Sequence, residues 1–503
     1  MSRFAVNVIA SIVGQGWSTL ISLAFVPLYI KFLGIEAYGL VGFYIMLQGL
    51  LQALDFGLSP TMNRELARYS ALPGTSGEAR DFVRTLEVGY WLLGFAIGWV
   101  VWAAAPFIAT HWVKPSAMPV HDVQQAVMMM GVVVALQWPL SFYGSGLMGL
   151  QRQVLLNSVT IAMSTLGSAG AILILWKVSP TITAFFTWQV GISAVQVALI
   201  TFLLWRSLPH SSRPPKIDLG LFRERWRFAA GMGGITISAI ILTHLDKLIL
   251  SKMLNLEMFG YYMLAGVIGR GLYVFITPVF NAIFPRFSAL VAAGDTNGLR
   301  ELYHRASQLM AVLILPLAAV VALFSYDIML LWIANPEAAR TAAPIVTLLV
   351  IGTALNGLMN LPYALQLAYG WTRIGLYITT LLIFTLVPAT VFMTTHFGAV
   401  GAAAVWVLLN VIYVLIGIPL THRRLLKGEA WRWCLEDIGL PLTAALVPVG
   451  LGRWLIHSPL SPIAALACLS AVLLSSLAAT SLAASRIRSW LLVIVARMRL
   501  AHA

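Results

Sequence analysis

Apolar residues occur along this chain in blocks, not on alternating faces. Runs of roughly 20 aliphatic and aromatic residues, enough as helix to cross a hydrocarbon core of about 30 Å, recur from end to end between short polar breaks. The expected spans lie near Phe4 to Tyr29, Tyr38 to Ser59, Leu86 to Thr110, Ala126 to Met148, Val154 to Trp176 and Thr181 to Trp205. A second six lie near Phe228 to Met253, Met258 to Phe284, Ala306 to Tyr326, Thr341 to Ala368, Ile374 to Thr394 and Val400 to Leu420. Two more, near Ile438 to Ile456 and Pro462 to Ala484, complete the set. The pattern predicts an all-α polytopic membrane protein with about 14 transmembrane helices. Pro139 and Pro278 fall inside spans, where neighbouring helices and Ser or Thr side chains can satisfy the backbone groups that proline frees.

The blocks are duplicated. Lys31-Phe-Leu-Gly-Ile-Glu-Ala-Tyr-Gly39 resembles Lys252-Met-Leu-Asn-Leu-Glu-Met-Phe-Gly260 at an offset of 221 residues. The same offset carries Arg84 onto Arg305, Gly149 onto Gly370 and Arg152 onto Arg373. Each repeat holds an even number of helices, so both run the same way. The expectation is two parallel, pseudo-symmetric six-helix bundles with a substrate path between them. The lobes are assigned to residues 1–210 and 211–430, followed by two additional helices in 431–485 and a basic tail at 486–503. That tail either lies along the membrane surface or continues the last span.

Composition agrees with the pattern, since 60% hydrophobic and 10% charged residues exclude a water-soluble globule with an ordinary polar surface. With a cytoplasmic N-terminus, 24 of the 32 basic residues fall in inward segments and six in outward ones, which predicts both termini on the cytoplasmic side of the inner membrane. That asymmetry accounts for the net charge of +14 without a nucleic-acid partner. The inward basic loops would also attract an anionic headgroup such as a pyrophosphate. Trp112, Trp176, Trp205, Trp226, Trp332, Trp371, Trp431, Trp433 and Trp454 lie near span ends and read as interface anchors. Two cysteines, Cys434 and Cys468, suit neither a disulfide framework nor a metal site, and no cofactor is expected. The first apolar segment reads as a retained span, not a cleaved signal.

Charges inside spans are costly and mark function or pairing. Arg270, between Gly269 and Gly271 near the middle of its span, would either hold an anionic substrate group or pair with a carbonyl or carboxylate of another helix. The flanking glycines would leave room for a bulky ligand. Asp55, near the inner end of its span, and Arg64 are candidates for coupling or gating, or else Asp55 merely caps a helix or pairs with Arg64 at the inner interface. In Thr243-His-Leu-Asp-Lys247, His244 and Lys247 share a helical face and are candidate substrate contacts, while Asp246 joins Asp55 as a coupling or gate candidate. The plain alternative for Lys247 is snorkelling to the headgroups.

Leu54-Asp-Phe-Gly-Leu58 with Asn63-Arg-Glu65 after it, Leu33 to Gly39, the Leu-Asp-Lys at Leu245 to Lys247, and Glu257 to Tyr262 resemble the polysaccharide or O-antigen flippases of the Wzx type. The resemblance implies the multidrug/oligosaccharidyl-lipid/polysaccharide exporter fold. It also implies transport of a polyprenyl-pyrophosphate-linked oligosaccharide from the inner to the outer leaflet by alternating access, with a polysaccharide polymerase as a possible partner. The rival readings are a multidrug or metabolite exporter of the same superfamily, the lipid II flippase branch, whose usual cluster of cavity arginines is not recognised in the first two spans, and a membrane glycan polymerase or ligase. Enzymes of the latter kind should show an extramembrane domain or a clustered acid/base constellation. The longest outward break, His111 to Gln125, is too short for a domain.

Overall fold

The computed structural model describes residues 3–72, 74–211, 213–218, 220, 240, 243–456 and 461–489. The expected span Phe228 to Met253 is therefore described mainly in its second half. Arg223, Arg225, Trp226 and Arg227, and the tail beyond Ser489, lie outside the described residues. The described residues are 88% helical, with no strand among them. It divides into two compact units, Met1–Gly260 and Tyr261–Ala503.

Unit 1 contains α1 (Arg3–Leu33), α2 (Ile35–Leu51), α3 (Leu58–Ala71), α4 (Ser76–Phe107), α5 (Val120–Gly149), α6 (Gln153–Lys177), α7 (Ile182–Ser207) and α8 (243–253), and the start of α9 (Leu256–Gly269). Its interior is apolar and aromatic, with Leu40, Met62, Leu66, Phe82, Phe142, Tyr143 and Phe186 fully buried. Close packing uses small residues where no hydrophobic driving force separates helix from lipid. At the α4–α5 crossing, a Cβ on Gly98 would stand 2.6 Å from the Gly131 carbonyl oxygen, and one on Gly131 would stand 2.6 Å from that of Gly98. Glu36, at the start of α2, accepts the backbone N–H groups of Ser116, Ala117 and Met118, which fixes the loop before α5. Asp81 on α4 holds the segment that follows α7, pairing with Arg213 at 2.5 Å and accepting the Lys216 N–H at 2.7 Å.

Unit 2 continues α9 and contains α10 (Tyr273–Ala293), α11 (Thr296–Leu323), α12 (Ser325–Ile333), α13 (Pro336–Ala368), α14 (Thr372–Arg424), the short α15 (Ala430–Arg432), α16 (Leu440–Leu455) and α17 (Pro462–Ala483). Its core gathers Ile276, Phe287, Tyr303, Met310, Ile314, Val350 and Leu365. Helix starts follow local chemistry. Asn335 accepts the N–H groups of Glu337 and Ala338 ahead of α13, and Pro336 occupies the first turn, where its missing N–H costs nothing. Within α14, Gly398 adopts non-helical angles (φ 58°, ψ −140°) and separates two expected spans.

Among the described residues, eleven helices are long and apolar enough to cross a membrane, with Thr19–Leu33 and Leu256–Gly269 as shorter apolar helices. Their outer faces carry Leu92, Trp99, Phe202, Phe384, Leu415 and Ile463, all largely exposed, as expected where lipid is the solvent. Tryptophans near span ends pair with cations: Lys252 lies 4.8 Å from the Trp112 ring and Arg424 lies 4.7 Å from the Trp371 ring.

Candidate functional site

The expected spans Tyr38 to Ser59 and Met258 to Phe284 read as continuous, yet both are interrupted. In the first, α2 gives way to a tight turn, Gln52–Asp55, then to left-handed Phe56 (φ 48°) and Gly57 (φ 76°) before α3 begins. The break leaves N–H groups without a helical partner at the start of α3, and Asp55 covers that of Ser59. Its carboxylate accepts the Ser59 N–H at 3.1 Å, the Ser59 hydroxyl at 2.6 Å and the Tyr90 hydroxyl from α4. Asp55 thus caps a helix, where a negative charge is favoured by the aligned peptide dipoles. Arg64 lies farther along α3, on an exposed face.

On α8, Lys247 does not snorkel. Its side chain is 8% exposed, and its ammonium donates to both Asp246 oxygens at 2.8 and 3.0 Å and to the Thr243 carbonyl at 2.8 Å. His244 rests against α2 at Gly49, where a Cβ would overlap the imidazole ring. Next to that contact, a row of neutral polar groups crosses unit 1. Gln48 donates to the Tyr44 hydroxyl at 2.7 Å, Tyr44 donates to Gln137 at 2.9 Å, and Gln137 donates to Ser193 at 2.8 Å.

In unit 2, α9 ends at Gly269 and α10 starts at Tyr273, with Arg270 exposed in the turn between them. The turn is closed by Gly271 N–H to Ile268 O at 2.9 Å and by Tyr273 N–H to Arg270 O at 3.0 Å. Gly269 does not open space for a ligand, because a Cβ there would stand 2.8 Å from Leu349 Cβ. Beyond the turn, the Tyr273 hydroxyl donates to Asn356 at 2.9 Å and Asn356 donates to Asn410 at 2.9 Å. Asn410 in turn donates to the Trp406 carbonyl at 2.8 Å.

The 221-residue offset places Arg270 opposite Gly49 and Tyr273 opposite Gln52, so the second helix of each repeat is interrupted at nearly the same place. In membrane transporters, irregular backbone at membrane depth is tolerated where it lines a cavity, and helices interrupted in corresponding halves point to substrate and ion sites. The sequence-level candidates thus fall in two places. His244, Asp246 and Lys247 gather on α8 beside α2, with Asp55 and Arg64 beyond the α2 break. Arg270 stands in unit 2 with Tyr273, Asn356 and Asn410. Gln137, Ser193, Tyr273, Asn356 and Asn410 were not singled out from sequence, although each is a polar residue inside an apolar run.

An all-helical chain with many spans, an internal duplication and paired helix breaks defines a polytopic membrane transporter fold. Residues 4–291 match the family described as "Polysaccharide biosynthesis protein", and residues 262–391 match the family described as "MatE". The chain belongs to the polysaccharide biosynthesis protein family, the flippase branch of the multidrug/oligosaccharidyl-lipid/polysaccharide exporter superfamily that its motifs resemble. A protein of Shigella flexneri named "Putative O-antigen transporter" is 20% identical over 401 residues, covering 80% of this chain and 93% of that protein. The fold is similar to that of the lipid II flippase MurJ in an inward closed conformation, with TM-score 0.71 and 12% identity over 95% of this chain and 98% of that one. It is also similar to an inward-facing multidrug resistance MATE family transporter of the MOP superfamily. There the TM-score is 0.64, with 16% identity over 81% of this chain and 94% of that one. These relatives are transporters and flippases, not enzymes.

Proposed function

We propose that this protein is a flippase that moves a polyprenyl-pyrophosphate-linked oligosaccharide from the inner to the outer leaflet by alternating access. The observation that carries the reading is Arg270 in the interruption between α9 and α10, next to the neutral donors and acceptors of Tyr273, Asn356 and Asn410. A lipid-linked glycan has an anionic pyrophosphate and many hydroxyl groups, neither of which crosses hydrocarbon unaided. A guanidinium exposed at membrane depth suits the first, since it offers a planar fork of donors to phosphate oxygens. Amide and hydroxyl side chains suit the second, because each can both donate to and accept from sugar hydroxyls. The row Tyr44, Gln48, Gln137 and Ser193 in unit 1 offers the same neutral chemistry. The name of the Shigella flexneri relative supports a sugar-lipid cargo.

The distribution of basic residues supports an inner-membrane location with both termini in the cytoplasm. A polymerase on the outer face would consume the delivered units. The match of residues 262–391 to the MatE family favours a second reading, export of a small molecule through the same fold. Deleting the gene in its host and following lipid-linked oligosaccharides separates the two. Accumulation of single repeat units on the cytoplasmic leaflet, with loss of surface polymer, is the expected result. Intact surface glycans in cells newly sensitive to toxic organic cations would replace the flippase reading with the exporter.

A further inference from the structure

One end of unit 2 carries a cavity of 470 Å³ to which neither interrupted helix contributes a lining residue. Three arginines reach it from separate elements: Arg305 from α11, Arg432 from the end of α15 and Arg486 from the turn of helix at 485–489 that follows α17. Glu301, Glu436, Ser485 and Ser489 complete its lining. All three elements belong to segments whose basic residues are expected to face the cytoplasm.

A buried polar relay brings these elements together. His304 on α11 is 1% exposed, with Nδ1 2.5 Å from Asp437 and Nε2 3.1 Å from Glu429. Gln308, one turn further, donates to Asp437 at 3.1 Å and accepts the backbone N–H of Arg486 at 2.9 Å. Glu429 also binds Arg300 at 2.7 Å. The main chains that carry the arginines are therefore fixed from within, by groups that have little access to solvent. At the mouth the pairing is open to solvent on its acidic side. Arg486, 18% exposed, pairs with Glu301, 64% exposed, at 2.6 Å, and Arg432 meets Glu436 at 3.5 Å, with both of those side chains nearly half exposed, as well as the buried Glu429 at 3.6 Å. A carboxylate open to solvent holds its arginine weakly, so an anion offering several oxygens can compete with Glu301 and Glu436 for these guanidinium groups. Alongside, α17 presents Leu466, Leu474 and Leu482 to the surroundings, each more than half exposed, so lipid chains run beside the cavity.

We propose that Arg305, Arg432 and Arg486 form a binding site for the phosphate group of an anionic lipid at the cytoplasmic leaflet. Two lipids share that chemistry: a bulk anionic phospholipid, and the polyprenyl pyrophosphate carrier before it enters the transport path. The proposal takes its leaflet from the topology above but does not depend on Arg270 or on the glycan.

The test uses the full chain in phosphatidylcholine nanodiscs, with binding followed by native mass spectrometry and by thermal stability. Phosphatidylglycerol, undecaprenyl pyrophosphate and inorganic phosphate are added separately. At least one of the two lipids should bind and raise the melting temperature. The combined Arg305→Gln, Arg432→Gln, Arg486→Gln variant should weaken that binding by about tenfold or more. Arg488→Gln, outside the cavity, should leave it unchanged. Phosphatidylglycerol binding alone identifies a phospholipid site, whereas binding of the pyrophosphate alone identifies a loading dock for the carrier. Equal binding by the variant and the parent, or inorganic phosphate as tight as either lipid, overturns the proposal. If the triple variant does not fold, single Arg305→Gln on the exposed face of α11 carries the same comparison.

Discussion

Gly39 and Gly260 face each other where α2 crosses the start of α9. A Cβ on Gly39 would overlap the Leu256 carbonyl oxygen, and one on Gly260 would overlap that of Ile35. The contact is reciprocal under the 221-residue offset, which carries Ile35 onto Leu256 and Gly39 onto Gly260. The duplication is therefore visible as a packing motif as well as a sequence echo, with two small residues allowing two backbones to touch. Gly39→Val should destabilise this crossing by about 1–3 kcal/mol. Gly260→Val should do the same. Equal losses of thermal stability from the two variants are expected, and a large loss from only one would contradict the reciprocity.

The role of Asp55 can be divided into capping and titration. Asp55→Ala removes the acceptor for the Ser59 N–H and for the Tyr90 hydroxyl, and should lower stability by about 1 kcal/mol. Asp55→Asn keeps an acceptor oxygen at the same place but no charge. If Asn restores both stability and transport, the carboxylate is a cap. Normal stability combined with lost transport in Asp55→Asn would instead assign it to cation coupling.

The spans, the repeat and the family were legible because they rest on features that sequence displays directly: long apolar runs, a fixed offset and short motifs. The helix interruptions were not. A break changes backbone angles with little change in mean hydropathy, so Leu51 to Gly57 reads as part of a span despite Gln52 and Asp55, and only Gly57 hints at the left-handed turn. Gly269 and Gly271 suggest room beside Arg270, whereas Gly269 ends α9 tight against Leu349 and Gly271 lies in the turn that follows. The polar network of unit 2 joins residues 83 and 54 positions apart, and nothing in a single sequence pairs Tyr273 with Asn356 or Asn356 with Asn410. His304, Asp437 and Glu429 escaped notice for the same reason, since two of the three sit in a stretch that reads as a basic loop leading into a span.

Lys247 and Asp246 should behave as a coupled pair. Lys247→Met leaves a partly buried carboxylate without its cation and should cost about 2 kcal/mol, discounted for the 26% exposure of Asp246. Adding Asp246→Asn should recover most of that loss, because two neutral side chains no longer need each other. Thermal unfolding of the four members of the cycle gives the interaction directly. Additive losses would mean that Lys247 is held by other groups and that the ion pair is incidental.

Arg270 offers the sharpest separation between charge and shape. Arg270→Ala should reduce transport by about tenfold or more at normal expression, since a charge-assisted hydrogen bond to a bound anion typically contributes about 1.5–3 kcal/mol. Arg270→Lys keeps the positive charge but loses the planar fork. Rescue by Lys would show that the site needs a cation and leaves its geometry loose, as a flexible pyrophosphate would permit. No rescue would show that bidentate contact is required, and Tyr273→Phe should then also impair transport, since the neighbouring hydroxyl helps to order the turn through Asn356. Full transport by Arg270→Ala in a reconstituted leaflet assay would remove Arg270 from the cargo path and move the search to the row of Tyr44, Gln48, Gln137 and Ser193 in unit 1.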